Sequence, residues 1–315
     1  MSGFLAFCDK YKDEPTCIEA LANLRWPDGF VCDKCQSTKA YHLSARPRIY
    51  ECASCWHQHS ITAGTIFHKT RTDLRKWFLA AYLIGHDKRG VSALMVSREL
   101  AIRYETAWLM CHKLRHALTE TDDFLLDDFV EIDEAFYGGR KQKGNRGRAQ
   151  TADKAMIVCA VEKRRVTGTN KGINQQGHIA GGARIAVIPN ATADQLGGFI
   201  RSNIKPKTWI ISDGFKGYTG LDGYKHIPIV QGDAASAGIN MPIVHKLFSN
   251  MKTWLNGTFH GVSIKHLPRY LREWSYRFNR RWRLDELDSF LLRRAVTKQT
   301  ITYAELVGGK LIEGA

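Results

Sequence analysis

The sequence predicts a mixed α/β fold, in which a helix-covered sheet follows a small cysteine-containing module and a short helical segment. Two close pairs of cysteines stand near the start of the chain. Apolar residues then recur at helical spacing between about residues 72 and 120. After residue 128, short strand-like apolar runs are mixed with helical patterns, which is typical of a mixed sheet covered by helices.

The cysteine pairs have the pattern C-x2-C, sixteen intervening residues, then C-x2-C, formed by Cys32, Cys35, Cys52 and Cys55. This spacing is typical of two knuckles that direct four thiolates toward one Zn²⁺. A disulfide pairing is the weaker interpretation, because nothing in the sequence indicates secretion. Four cysteine ligands leave no open coordination position, so we expect a structural zinc in a ribbon over residues 1–66.

A helical segment follows over residues 67–122. The first helix has Leu74, Trp77 and Phe78 on one apolar stripe behind a cap at Thr72, and Ser92 caps a second, short helix. A third helix carries basic residues away from its apolar face, among them Lys113 and Arg115. This outline resembles a DNA-binding helix-turn-helix, although many packets of three helices bind no DNA.

The third block, residues 123–285, has the pattern of a sheet, and residues 286–315 are expected to form a C-terminal tail. Strands are predicted at 129–133, 154–161, 183–188, 208–214 and 226–230, with helices at 192–204 and 240–255. Asp133 and Asp213 each close one of these strands. Carboxylates that meet at one sheet edge can hold Mg²⁺ or Mn²⁺, and a pair of such ions suits phosphodiester chemistry. Alternatively, each aspartate is a turn or cap residue.

The charge balance favours a polyanionic partner. The chain has 46 Lys and Arg against 31 Asp and Glu, a formal net charge of +15, and such an excess suits binding to phosphates. No apolar run approaches the roughly 18 to 20 residues of a membrane helix, and the start lacks a signal-peptide pattern. We therefore expect a cytoplasmic protein, associated with the nucleoid when bound to DNA, and no membrane partner.

Four ordered motifs resemble a known family. They are the cysteine pairs, Val-Glu-Ile-Asp133-Glu-Ala-Phe-Tyr-Gly-Gly, Ile-Ser-Asp213-Gly-Phe-x-Gly-Tyr, and His245-Lys-Leu-Phe-Ser-Asn250-Met-Lys252. Together they are similar to bacterial insertion-sequence transposases of the DDE type with a zinc ribbon, the ISXO2-like group, which is related to Merlin elements. The resemblance implies an RNase H-like fold, Mg²⁺-dependent 3′-end cleavage and strand transfer, recognition of terminal inverted repeats, and action as a dimer or higher multimer.

The third residue of the site departs from the usual pattern. Many DDE enzymes carry a glutamate on the last helix, but no acidic residue occurs between Met241 and His266. The resemblance favours Asn250, whereas helix geometry places His245 on the same face as Lys252, the residue that resembles a DNA-contacting lysine of the family. Both Asn250 and His245 therefore stay open as the third site residue.

Arginines and aromatic residues alternate between residues 269 and 283, and Arg277 and Arg280 are candidates for contacting phosphates. The alternative is an amphipathic helix with a solvated basic face. Two other functions also remain open. One is a zinc-ribbon transcription regulator, which would not need the two aspartates, and the other is an RNase H-like nuclease that cuts without joining strands.

Overall fold

A computed structural model describes residues 3–118, 124–138, 154–165, 177–229, 241–283 and 286–308. Within these ranges no helix is long and apolar enough to cross a membrane. The chain forms two compact units. The ribbon unit contains the described parts of Met1–Thr119 and Arg280–Gly309, and the sheet unit contains those of Glu120–Asn279.

The elements follow one another in this order along the chain. The ribbon unit begins with α1 (Phe4–Lys10), α2 (Glu14–Arg25), β1 (Ala40–His42), β2 (Ile49–Cys52), β3 (Gln58–Ser60), α3 (Leu74–His86), α4 (Ala93–Glu99) and α5 (Tyr104–Ala117). The sheet unit has β4 (Phe129–Tyr137), β5 (Ala155–Arg165), β6 (His178–Ile188), α6 (Ala193–Asn203), β7 (Trp209–Asp213), a 3₁₀ turn (Lys216–Tyr218), β8 (Lys225–Ile229), α7 (Pro242–Phe259) and α8 (Leu267–Asn279). The chain then adds α9 (Leu287–Thr297) and α10 (Tyr303–Gly308) to the ribbon unit.

The predicted helices of the ribbon unit are present, with one difference at a cap. Ser92 accepts the Met95 N–H at 3.2 Å and so caps α4 as expected. At the start of α3 the cap is Asp73 rather than Thr72, because the Asp73 carboxylate accepts the Arg75 N–H at 2.7 Å. A carboxylate in this place also interacts favourably with the positive end of the helix dipole.

The segment after residue 286, which we expected to be a tail, contains two helices. Helix α9 packs against α2, α3 and α5, and its residues Leu291, Leu292 and Ala295 are buried. The backbone carbonyl of Ala295 accepts the N–H of Ile66 at 3.2 Å. The core of the ribbon unit is therefore completed by a segment that lies far away in the sequence.

The sheet unit confirms the predicted mixed sheet. Its strand order is β6-β5-β4-β7-β8, and β4, β5 and β6 pair antiparallel while β7 is parallel to both β4 and β8. Helices α7 and α8 lie against β4, β5 and β6. Two apolar clusters result, one with α7 and α8 on one face of the sheet and the other with α6 on the opposite face.

Alternation along β4 decides which side chains belong to each face. Ala135 and Tyr137 belong to the cluster of α7, whereas Val130 and Ile132 belong to the cluster of α6. Because successive side chains of a strand point to opposite faces, Asp133 projects on the α7 face. On β7 the same alternation places Ile211 with the α7 cluster and Ile210 with the α6 cluster, so Asp213 shares the face of Asp133.

Candidate active site and zinc centre

The four predicted zinc ligands converge in the ribbon unit. The sulfur atoms of Cys32, Cys35, Cys52 and Cys55 all lie within 4.8 Å of one another. The Cys32 and Cys55 sulfurs are 3.6 Å apart, and those of Cys35 and Cys52 are 3.5 Å apart. Four convergent thiolates match the ligand set of a structural zinc, and they leave no coordination position for a substrate.

Both knuckles have the same backbone turn. Gln36 donates its N–H to the Cys32 carbonyl at 2.9 Å, and Trp56 donates to the Cys52 carbonyl at 3.0 Å. Both residues adopt a left-handed backbone with φ of 60°. A bulky residue is uncommon in this region, where glycine or asparagine is usual, and the Trp56 side chain is also 66% exposed.

Asp213 ends β7 as predicted, but Asp133 lies in the middle of β4, which continues to Tyr137, so the prediction that Asp133 closes its strand is wrong. The register of the two strands nevertheless places the two aspartates at the same level. The parallel strands β4 and β7 pair with an offset of 80, Glu131 opposite Ile211, and Asp213 follows Asp133 by the same 80 positions. The charges of both aspartates influence the pKa of the nearby Tyr218 hydroxyl. Burial is the main reason why the pKa of Tyr218 is raised well above its usual value, and the charges of Glu134, Asp133 and Asp213 raise it further. The two predicted aspartates therefore form one acidic site.

Helix α7 brings His245 to this acidic site. The Nε2 atom of His245 lies 3.2 Å from Oδ2 of Asp133, and this hydrogen bond raises the pKa of the imidazole. Asn250, the alternative third residue, is exposed on α7. At about 100° per residue, Asn250 points about 140° away from His245 around the helix, whereas Lys252 shares the side of His245.

The first turn of α7 is attached to β4 by Glu131. This side chain is completely buried, and its Oε2 atom accepts the N–H groups of Ile243 at 2.9 Å and Val244 at 3.1 Å. Its Oε1 atom lies 3.3 Å from Nζ of Lys163. Sequence analysis did not find this role, because the capping partner is a strand residue more than a hundred positions before the helix.

A second link joins β4 to the turn that follows β7, on the α6 face of the sheet. The Tyr218 hydroxyl donates to Oε2 of Glu134 at 2.7 Å, and the Phe215 N–H donates to Oδ1 of Asp213 at 3.1 Å. A Cβ atom on Gly217 would lie 2.7 Å from the Ala191 carbonyl oxygen, so the turn needs glycine there. The Asp-Gly-Phe-x-Gly-Tyr motif thus encodes the turn that holds Asp213 beside the strand of Asp133.

Two of the predicted DNA-contacting residues are buried in the ribbon unit. Lys113 is buried, which lowers its pKa, and Arg115 is 1% exposed and donates to the Val91 carbonyl at 3.0 Å. We expected both side chains on solvated faces of the third helix, and this expectation of exposure is wrong. The physical reason is that α5 packs against three helices, α3, α4 and α9, so that more than one side of it is buried. The exposed basic and aromatic residues lie instead at the start of α5, at Arg103 and Tyr104.

The arginines of the C-terminal region also differ from expectation. Arg277 is buried in the sheet unit, where its guanidinium lies 3.6 Å from Glu273 and 4.9 Å from the centre of the Trp254 ring. Neither a solvated basic face nor a phosphate grip describes that position. Arg280, in the ribbon unit, lies 4.2 Å from the centre of the Phe290 ring. Lys252 stays partly exposed on α7, with Nζ 6.0 Å from the centre of the Phe248 ring.

The two centres differ in how compact they are. Among the described residues, sets of three or more metal-ligand side chains within 4.8 Å occur only in the ribbon: the four cysteines, and Cys32 with Asp33 and His59. The acidic site therefore offers a pair of carboxylates rather than a closed set of ligands. Carboxylate oxygens are the ligands that Mg²⁺ and Mn²⁺ prefer, and Mg²⁺ commonly keeps several of its waters. Asp133 and Asp213 fit such an ion by their donor chemistry.

Comparison with known proteins gives a consistent result for both units. Residues 12–58 match the family model of the transposase zinc-ribbon domain, and residues 125–279 match that of the ISXO2-like transposase domain. The chain is also similar to an uncharacterized protein in transposable element ISH50 of Halobacterium salinarum. The two are 24% identical over 288 residues, which cover 85% of this chain and 91% of the relative.

Proposed function

The chain belongs to the ISXO2-like transposases, and from this premise we propose that it binds the terminal inverted repeats of an insertion sequence and catalyses metal-dependent cleavage and joining of their strands. The observation that carries the proposal is the β4–β7 register, which places Asp213 beside Asp133 when it is continued by two residues. Both aspartates lie at the same level and on the same face of neighbouring strands, and both remain partly exposed. A phosphodiester can therefore reach both carboxylates at once.

Asp133 and Asp213 are the residues that would hold Mg²⁺ or Mn²⁺. When bound there, the cations would stabilise the attacking and leaving oxygens of an in-line displacement. The protein's own contribution is to keep the two carboxylates in register, through the β4–β7 pairing and the turn that ends in Tyr218. The strand order and the combination of parallel and antiparallel pairing support an RNase H-like sheet.

His245 is our choice for the third position of the site. It contacts Asp133 directly, and Lys252 lies on the same side of α7 two turns further along the helix. His245 would orient the Asp133 carboxylate, and Lys252 would contact a phosphate near the reacting bond. Asn250 stays the alternative that the family resemblance favours.

The ribbon unit would bind the DNA ends. A recognition helix contacts bases through its N-terminal residues, and Arg103 and Tyr104 are exposed at the start of α5. This arrangement supports a helix-turn-helix-like role for α4 and α5. On the ribbon, the exposed Trp56 is the side chain that we propose stacks against DNA, because a strained and exposed aromatic residue indicates a functional role. Since an element has two ends, we propose a dimer or higher multimer as the active form.

The experiment that tests this function is a strand-joining assay with the full chain. Labelled element-end DNA and a plasmid target are incubated with Mg²⁺ or Mn²⁺, and wild type is compared with Asp213→Ala. We expect joined product from wild type only, while both proteins bind the end DNA. Cleavage without joining would identify a nuclease instead. Binding without cleavage in either metal would identify a DNA-binding regulator. Either of these two results would overturn the proposal.

A further inference from the structure

Glu131 is a buried carboxylate that the proposed chemistry does not use. It precedes Asp133 by two positions on β4 and projects on the same face, because side chains of a strand repeat with a period of two. It has no exposed surface. A charged carboxylate in such a place is costly unless hydrogen bonds and an opposite charge compensate it, so its contacts indicate what it does.

The contacts of Glu131 are concentrated on the first turn of α7. The N–H groups of Ile243 and Val244, which have no carbonyl partner within the helix, both donate to the Glu131 carboxylate. The helix has no local substitute for this cap, since Met241 makes no side-chain cap and Pro242 has no N–H. Lys163, on β5, supplies the opposite charge at 3.3 Å. The Glu131 side chain thus joins the first N–H groups of α7 to β4.

The same strand and the same helix turn meet again at the active site. Glu131 holds the N–H of Val244, and the next residue, His245, contacts Asp133, two positions further along β4. A shift of the first turn of α7 along the sheet would therefore change the distance between His245 and Asp133. It would also move Lys252, because a helix moves as a rigid body.

We propose that Glu131 is a positioning residue for the active site: it sets the place of α7 and, through α7, the placement of His245 and Lys252 relative to Asp133. Lys163 takes part by neutralising the Glu131 carboxylate, which keeps the charge buried and directed at the helix. The claim that Glu131 affects catalysis rests on the proposed function. The claim that Glu131 sets the position of α7 relative to Asp133 is independent of it.

The sheet contains a matched control in Glu162. This carboxylate, on β5, is also buried, and it accepts the N–H groups of Gly182 at 2.8 Å and Asp127 at 3.2 Å. It too has a basic partner, Arg164, at 2.6 Å. Glu162 lies opposite Val130 and belongs to the other face of the sheet. The two residues are chemically alike, and only Glu131 contacts α7.

The experiment compares Glu131→Gln with Glu162→Gln in the full chain. Each substitution removes a buried charge, and we expect both to lower the free energy of unfolding measured in urea. Only Glu131→Gln should shift the imidazole NMR resonances of His245, assigned with His245→Gln. Only Glu131→Gln should slow end cleavage at saturating DNA and Mn²⁺, by about ten- to a hundredfold, as expected when a reacting group is misplaced. Glu131→Asp, which keeps the charge near His245 but shortens the reach to the helix, should also shift these resonances and slow cleavage, which loss of charge alone would not explain. It also replaces the Gln variant if that variant does not fold.

The outcomes separate this inference from the proposed function. Unchanged His245 resonances in Glu131→Gln would overturn the inference, whatever the enzyme does. Equal losses of cleavage in the Glu131 and Glu162 variants would overturn it as well, because stability alone would then explain them. A wild type that binds DNA but never cleaves it would count against the proposed function, while the NMR comparison would still decide the role of Glu131.

Discussion

His245 and Asp133 are in direct contact, with the imidazole Nε2 atom 3.2 Å from the carboxylate, although 112 positions separate them in the sequence. The contact joins α7 to the strand that carries the first aspartate. It gives a physical reason for choosing between two candidates on α7, because Asn250 lies on another side of that helix.

We predict that His245→Ala impairs catalysis far more than Asn250→Ala does. Loss of the imidazole removes the partner that orients Asp133, and we expect end cleavage to slow by at least about tenfold. The measurement is the single-turnover cleavage rate on pre-bound end DNA, which separates catalysis from binding. A loss in Asn250→Ala that equals or exceeds the loss in His245→Ala would show that the resemblance-based choice of Asn250 was right.

Much of the architecture follows from local signals in the sequence. The cysteine spacing alone predicted the ligand set that the ribbon brings together. The strands that carry Asp133 and Asp213 were recognisable from their apolar runs, although β4 continues four residues beyond Asp133. Because parallel neighbours meet at one sheet edge, the two aspartates could be expected to lie close together. The turn after Asp213 was visible as a glycine-rich motif, although its link to Glu134 was not.

Packing between distant segments could not be predicted in the same way. The helical pattern around Lys113 and Arg115 gave each residue a solvated position, but α5 packs against α3, α4 and α9, and both residues are buried. Helix periodicity showed that His245 and Lys252 share one side of α7. It could not show that this side faces Asp133, because that orientation is set by contacts such as the Glu131 cap.

The zinc centre should be structural and necessary for binding DNA ends. We predict that Cys32→Ser lowers bound zinc, measured by metal analysis, and weakens binding to element-end DNA, because a small ribbon depends on its metal for folding. The matched control is Cys8→Ser, which replaces a cysteine outside the cluster. Unchanged zinc content in Cys32→Ser would contradict the assignment of this cysteine as a ligand.

Trp56 should lower the stability of the ribbon and strengthen its binding to DNA. Replacing it with glycine relieves a left-handed backbone, so we expect the ribbon to stay folded and to keep its zinc. Binding to end DNA should nevertheless weaken by about tenfold or more, since one stacked base is worth roughly 1–3 kcal/mol.

Gln36→Gly is the control for that change, because Gln36 has the same backbone conformation in the other knuckle. It should bind DNA like wild type in a fluorescence anisotropy titration. If Trp56→Gly and Gln36→Gly bound the end DNA equally well, Trp56 would have no part in recognition.

His266 should make the sheet unit sensitive to mild acid. Burial, assisted by the charge of Arg269, lowers its pKa from 6.5 to about 4, and its Nδ1 atom lies 3.2 Å from Nη1 of Arg269. The folded state thus prefers the neutral ring. The stability that this preference provides is present above the unfolded pKa and is lost as the pH falls through 6.5 toward 4.

The corresponding test is the melting temperature of wild type and His266→Gln at pH 7 and pH 5. Between pH 7 and pH 5 we expect the melting temperature of wild type to fall further than that of the variant. The difference should be about 2–4 °C for each kcal/mol of stability that the neutral His266 ring provides. Parallel losses in the two proteins would mean that His266 does not titrate in this range.

The central claim is that Asp133 and Asp213 together hold the divalent cation of a strand-transfer reaction. The most direct test is the metal dependence of end cleavage in Asp213→Cys, with Asp222→Cys as a control at an exposed aspartate of the same unit. A thiolate is a poor ligand for Mg²⁺ and a better one for softer ions. We predict that Asp213→Cys is inactive with Mg²⁺ and regains part of its activity with Mn²⁺, while the control behaves like wild type in both. Wild-type activity of Asp213→Cys with Mg²⁺ would contradict the account.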